Sequence, residues 1–167
     1  TINPIKEFPK KNKISSFVGK LNRSKGFHVF GKAIVRILNR YKSWKSIVVG
    51  DEPREKYNHK HNNLEYKGWL SHHKTLELYK DTSISVVPSS WEEPFGRTAM
   101  EASSRGCAII ISKRGGLVET VADAIYLSKL TEKELYNKIK YLIKYHLNSS
   151  INLKKKVKFV ADQITLD

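Results

Sequence analysis

Cysteine occurs once in this chain, at Cys107, so no disulfide framework can form within it. The lone thiol sits in a strand-like run and reads as a small buried hydrophobe in a reducing compartment. Proline is scarce too, five in 167 residues, and no linker-like stretch divides the interior. No apolar run approaches the ~20 residues that span a bilayer. The opening segment, Thr1 to Lys13, is polar and basic without an apolar core, unlike a secretory signal. Acids are the minority charge, 16 Asp and Glu against 31 Lys and Arg, which leaves a net charge of +15. A charge that large suits a nucleic acid, an anionic membrane surface or a lysine-rich proteome. Zinc, helix-turn-helix and aromatic RNA-binding signatures are all missing, so no nucleic-acid partner is expected. There is no Gly-x4-Gly-Lys-Ser/Thr loop and no Asp-x-Asp pair. His59-Lys60-His61 and His72-His73 have no acidic or Cys partner at ligand spacing and read as surface residues, so no metal is expected.

What the chain does have is alternation. Short apolar runs at Ser15–Val18, Ser46–Gly50, Leu64–Gly68, Ile84–Val87, Cys107–Ser112 and Ala124–Leu127 predict strands covered on both faces. Between the first two, Phe27, Phe30, Ile34 and Ile37 recur at helical spacing and mark one buried helix face. Leu135, Ile139, Leu142 and His146 repeat that pattern, as do Leu153, Val157, Val160 and Ile164. Shorter helices are expected at Lys74–Lys80 and Arg97–Arg105. Strand alternating with helix predicts an α/β fold, a doubly wound parallel (Rossmann-like) sheet of about six strands. Ligands of such sheets lie outside the C-terminal strand ends. Every polar motif of the chain falls at one.

The first strand runs into Val18-Gly19-Lys20-Leu21-Asn22-Arg23-Ser24-Lys25-Gly26. Glycine permits close backbone approach, and Lys20 and Lys25 can place two ammonium groups near one diphosphate. Alone, the two are equally well read as surface lysines. The fourth strand runs into Pro88-Ser89-Ser90-Trp91-Glu92-Glu93-Pro94-Phe95-Gly96-Arg97-Thr98-Ala99-Met100-Glu101-Ala102. A helix beginning near Gly96 would offer free N–H groups to a phosphate, with Glu93 before it and Glu101 one turn inside. Two carboxylates flanking a helix start suit polyhydroxyl binding better than acid/base work across a scissile bond. The competing reading of Glu101 is a local ion pair with Arg97, four residues earlier.

Taken in order, Phe17-Val18-Gly19-Lys20-Leu21-x3-Lys25-Gly26, Gly68-Trp69-Leu70-Ser71, Pro88-Ser89-x3-Glu93-Pro94-Phe95-Gly96-x4-Glu101-Ala102 and Gly115-Gly116-x2-Glu119 form one set. This set resembles the C-terminal half of retaining GT-B-fold glycosyltransferases, the group 1 family, which includes hexosyltransferases of lipopolysaccharide and capsule polysaccharide synthesis. The resemblance covers residues 15–165. It implies that Glu93 binds donor-sugar hydroxyls, Glu101 the ribose hydroxyls, and Lys20 and Lys25 the diphosphate. Backbone at Phe95, Gly96, Arg97 and Thr98 would complete the phosphate cradle beside Gly19. Strand-end backbone at Trp69-Leu70, covered by Leu76, would hold the base. Glu93, Lys25 and Lys20 would be the catalytic groups of a retaining sugar transfer from a nucleoside-diphosphate sugar. The leaving group would be stabilised by lysines and helix dipole, with no metal or other cofactor. Lys20 stands where these enzymes usually carry Arg, a point charge in place of a planar fork.

By the same resemblance the chain holds one of two domains. Residues 1–13 read as interdomain linker or tail and 14–167 as the nucleotide-sugar-binding domain. A chain beginning at Thr1 without Met reads as a piece of a longer protein or a stand-alone half. Its expected partners are the sugar-nucleotide donor, an N-terminal acceptor-binding domain in the same chain or a partner, and an anionic membrane contacted peripherally from the cytoplasm. Two alternatives stay open: a catalytically silent nucleotide-binding or interaction module, and a basic nucleic-acid-binding domain.

Overall fold

Parallel strands need crossover connections, so the spacing of the apolar runs already dictates helices or long loops between them. The computed structural model describes residues 11–92, 96–114 and 124–147. Its elements are β1 (Asn12–Val18), α1 (Phe27–Arg40), β2 (Lys45–Val49), β3 (Leu64–Tyr66), α2 (His72–Asp81), β4 (Thr82–Val87), α3 (Arg97–Ser104), β5 (Ala108–Ser112), β6 (Ala124–Leu127) and α4 (Glu132–Leu147). The strands form one six-stranded sheet in the order β3-β2-β1-β4-β5-β6, with all five pairings parallel. This is the expected doubly wound, Rossmann-like sheet.

Alternation along β5 shows how both faces are covered. Ala108 and Ile110 join a cluster with Phe27, Phe30, Ile34 and Ile37 of α1 and Leu135, Ile139 and Leu142 of α4. Ile109 and Ile111 join Tyr79 of α2 and Ala99 and Ala102 of α3 on the other face. Each large apolar side chain buried in these clusters contributes about 1.5–3 kcal/mol. The small residues of α3 let it sit close to the sheet. Serines interrupt the core but find one another: Ser15 Oγ donates to Ser46 Oγ at 3.0 Å, and Ser16 Oγ to Ser85 Oγ at 3.4 Å.

Several boundaries differ from the apolar pattern, each for a local reason. Strand β1 begins at Asn12, taking two residues from the segment expected as linker, and pairs Asn12 with Thr82. β3 stops at Tyr66, short of Gly68, which adopts a left-handed φ of 65°. α2 starts at His72 rather than Lys74 because Ser71 caps it, its Oγ accepting from the Lys74 N–H at 3.2 Å. Cys107 lies just before β5, buried as expected, with its Sγ donating to the Tyr79 carbonyl at 3.2 Å. The Gly115–Glu119 motif and the Leu153–Ile164 helix face lie outside the described residues.

Gly26 caps α1 with a φ of 75° and lies so close to β4 that a Cβ there would stand 1.8 Å from the Pro88 carbonyl oxygen. Gly68 has a similar φ of 65° but open space around it. The two separate backbone strain from close approach. Gly68→Ala is expected to cost about 1–2 kcal/mol, the penalty of the left-handed region for an L-residue. Gly26→Ala should cost clearly more, because backbone must move as well. Urea denaturation of both variants checks this, and equal losses would show that the Gly26–Pro88 contact is not constraining.

Candidate functional site

The chain steps from β1 to β2 on one side and from β4 to β5 on the other, so the sheet's switch point lies between β1 and β4. Outside their C-terminal ends is a cavity of about 200 Å³. Phe17, Val18 and Gly19 line it from β1, Lys25 from the following loop, and Val86, Val87, Pro88 and Ser89 from β4. Gly96, Arg97 and Thr98 at the start of α3 close it. Sites for drug-sized ligands run about 300–1,000 Å³, so this space suits a phosphate-sized group rather than a whole nucleotide-sugar. A larger hollow of about 440 Å³ lies along α4 between Lys129 and Tyr141. Among the described residues it draws on no other helix or strand, and its acid, Glu134, already accepts from Ser128 and Lys129.

The loop after β1 is built from both ends. Asn22 Oδ1 accepts from the Lys25 N–H at 2.9 Å and Ser24 Oγ at 3.0 Å, an Asx turn that folds Asn22 to Gly26 into place. Glu52, buried beside it, also bonds the Asn22 side chain and is held by Arg54 Nε at 2.8 Å. The Arg54 hydrogen bonds hold the Glu52 carboxyl down at about 2, against the burial that works to raise it. Glu55 accepts from the Arg23 N–H at 2.9 Å and the Tyr57 hydroxyl at 2.6 Å. Burial and that bond push the Tyr57 phenol up to about 12. On the far side, the Ser24 carbonyl accepts from the Ser90 N–H at 2.9 Å, the Trp91 N–H at 3.1 Å and Ser89 Oγ at 3.1 Å. The β1 and β4 loops therefore form one unit. Ser112 Oγ at the end of β5 joins it, donating to the Ser89 carbonyl at 2.5 Å.

Gly96 caps α3 in a left-handed conformation, φ 63°, with no side-chain cap and no acid in the first turn. Its first N–H groups are those a phosphate can take. One turn on, Glu101 is only 4% exposed. Its Oε1 accepts from Arg97 Nε at 2.8 Å, the local ion pair that the spacing allowed, and meets His72 Nε2 at 2.9 Å.

Gly19, Lys25, Gly96, Arg97 and Thr98 thus meet at one cleft, as their spacing predicts, with Glu101 directly behind in α3. Lys20 is exposed and does not line the cavity. Trp69 is exposed and Leu70 half-buried beyond the edge strand β3. Leu76, expected to cover a base, is half-buried and packs against the α2–α3 side of the core. Glu93 and Phe95 lie outside the described residues. Sequence reading missed His72 as a partner of Glu101: 29 residues separate them, and only the crossing of α2 over the sheet brings them together. It also missed Asn22, Glu52 and Glu55, whose visible signal was limited to an Asn-x-Ser turn and two acids in a basic chain. Among the described residues no group of three His, Cys, Asp or Glu side chains could hold a metal ion, and no helix is long and apolar enough to cross a membrane.

A parallel sheet with its cleft at the switch point defines a Rossmann-like domain. The sequence profile of the family "Glycosyl transferases group 1" matches residues 1–159, and the chain belongs to that family. An uncharacterized glycosyltransferase of Methanocaldococcus jannaschii is 30% identical over 119 residues, covering 65% of this chain and 29% of that protein. Glycogen synthase of Mycobacterium tuberculosis is 30% identical over 112 residues, covering 63% and 27%. The chain spans less than a third of either relative. Among solved structures, HepE of Anabaena in complex with UDP-glucose superposes with a TM-score of 0.71 at 20% identity, over 91% of this chain and 44% of that one. The C-terminal domain of the group 1 protein LpcC from Francisella tularensis gives 0.73 at 18% identity, over 97% and 94%. The fold is that of one half of a GT-B glycosyltransferase.

The Glu52–Arg54 pair carries a pH prediction. A carboxyl lowered on folding stabilises above its ordinary value near 4.5 and loses that contribution as pH falls toward about 2. Carbonyl-detected NMR should find Glu52 titrating near 2, and in Arg54→Ala nearer the ordinary value. An unshifted Glu52 in the unsubstituted chain would contradict the pairing.

Proposed function

We propose that this chain is the donor-binding domain of a retaining glycosyltransferase, a hexosyltransferase that uses a nucleoside-diphosphate sugar. The observation that carries the reading is the convergence of the Gly19–Lys25 loop and the α3 N-terminus on one phosphate-sized cleft, with the buried Glu101 behind it. In this reading the diphosphate lies in the cleft, between the Lys25 ammonium and the first N–H groups of α3. Lys20 approaches from the rim, and the helix dipole adds to the positive field. Glu101 takes the ribose hydroxyls, Glu93 the sugar hydroxyls, and the Trp69-Leu70 strand end the base. HepE, which shares the fold, was solved with UDP-glucose, and this supports a sugar-nucleotide as the ligand class.

As bond to the anomeric carbon breaks, negative charge grows on the leaving diphosphate. In this reading Lys25 and the α3 N–H groups stand where that charge develops and Lys20 reaches in from the exposed rim, which lowers the barrier without a metal ion. The acceptor is a glycan or a lipid-linked sugar, held by a second, N-terminal domain in the same chain or a partner. The relatives include a lipopolysaccharide N-acetylglucosaminetransferase of Salmonella typhimurium, 28% identical over 126 residues, which favours envelope polysaccharide synthesis. A net charge of +15 suits peripheral contact with an anionic membrane, where each basic residue near the surface adds about 1 kcal/mol. Residues 14–167 form the donor domain, with 1–13 largely linker. A silent nucleotide-binding module is the second reading, favoured only if binding occurs without turnover in the two-domain enzyme.

Calorimetry with UDP, GDP and ADP and their sugars tests the assignment residue by residue. Lys25→Ala should weaken nucleoside diphosphate by about 1–3 kcal/mol, the range of a charged hydrogen bond. Glu101→Ala should weaken nucleoside diphosphate and sugar-nucleotide alike, whereas Glu93→Ala should weaken the sugar-nucleotide alone. Equal losses for both ligands in the Glu93 variant would remove it from the sugar site. The 167 residues alone should bind donor without appreciable transfer, because positioning both reactants contributes about 7–11 kcal/mol to catalysis. Robust turnover by this chain in a radiolabelled-donor assay would overturn the two-domain requirement.

A further inference from the structure

Among the described residues two donors reach the buried Glu101 carboxylate, and both fall on the same oxygen. Arg97 Nε lies 2.8 Å from Oε1 and His72 Nε2 lies 2.9 Å from it, so neither contact uses Oε2. Arg97 sits one turn earlier on the same helix, and its side chain is two-thirds exposed. Such a pair travels with α3 and does not relate the acid to the rest of the cleft. His72 belongs to a different element. It is the first residue of α2, fixed there by the Ser71 cap, and only Ser71 separates it from Trp69 and Leu70. Its contact with Oε1 therefore ties the strand end after β3 to the acid in α3.

We propose that His72 is a positioning residue that donates from Nε2 to Glu101 Oε1, orients the carboxylate so that Oε2 faces a vicinal diol, and holds the Trp69-Leu70 segment at a set distance from it. The proposal rests on the reading of Glu101 as the ribose acid. A neutral imidazole can make this bond only as the Nε2–H tautomer, because the other tautomer sets a lone pair against an anion. The carboxylate therefore selects the tautomer, and the imidazolium donates from the same atom. With Oε1 committed to Arg97 and His72, the acid presents one oxygen in a fixed direction to two neighbouring hydroxyls. Base and ribose are then read as one rigid unit, one through the backbone before α2 and the other through Glu101.

The readout that separates positioning from mere support is discrimination at the ribose. Calorimetric Kd values for UDP, GDP and ADP are compared with those for dUDP, dGDP and dADP on the unsubstituted chain, His72→Ala and His72→Gln. The nucleotide that binds should prefer its ribose form by about tenfold, a size expected of a hydrogen bond to a charged group. His72→Ala should lose most of that preference through weaker ribonucleotide binding, with the deoxynucleotide nearly unchanged. His72→Gln, whose amide N–H can stand in for Nε2–H, should recover most of it. Lys25→Ala should weaken ribo and deoxy forms alike and leave the ratio intact. A His72→Ala variant that keeps the ratio, or weakens both forms equally, would overturn the proposal and leave the donor site standing. No binding of any of the three nucleotides to the unsubstituted chain would overturn the donor-site reading itself.

Discussion

The Ser24 carbonyl holds the site together. Donors from Ser89, Ser90 and Trp91 converge on it, and with them the loop after β4 is fastened to the loop after β1. The absence of a Cβ on Gly26 lets the two backbones approach that closely, with the Pro88 carbonyl where that carbon would be. Both loops leave the sheet at its switch point, where chain direction opens a cleft that no crossover covers. Without this fastening, Lys25 and the α3 N-terminus would belong to two independent loops. With it, they share one rigid wall.

The supports behind that wall are mostly carboxylates in a chain short of them. Glu52, Glu55 and Glu101 are each committed to named donors, the first two in loops and the third on two helices. A basic protein gains from this arrangement, because these three acids are placed where they order backbone or join one helix to another. The lysines, more numerous, are largely left to the surface. Net charge thus describes the outer field of the molecule, and the paired acids describe its interior construction.

The sheet was readable because β2, β5 and β6 are mostly apolar runs, β4 ends on one, and α1 repeats its apolar face at helical spacing. Asn12 and Lys13 hid the start of β1, since polar edges carry no periodic signal. The convergence of Gly19, Lys25 and Gly96–Thr98 on one cleft was legible because they are local features at strand ends. Leu76 was harder to place. A leucine in a short helix looks the same whether it faces a ligand or the core, and only the packing of α2 on α3 shows that it faces the core. The His72–Glu101 contact was invisible in one dimension, because it arises from how far α2 travels across the sheet.

The central claim is that the cleft between the β1 and β4 strand ends binds a nucleoside diphosphate. Amide chemical-shift mapping during titration with UDP, GDP and ADP tests it most directly. The account predicts, for at least one of them, the largest shifts at Gly19, Lys25, Ser89 and Gly96–Thr98, with Lys129–Tyr141 along α4 unaffected. Shifts confined to α4, or none with any of the three nucleotides, would contradict it.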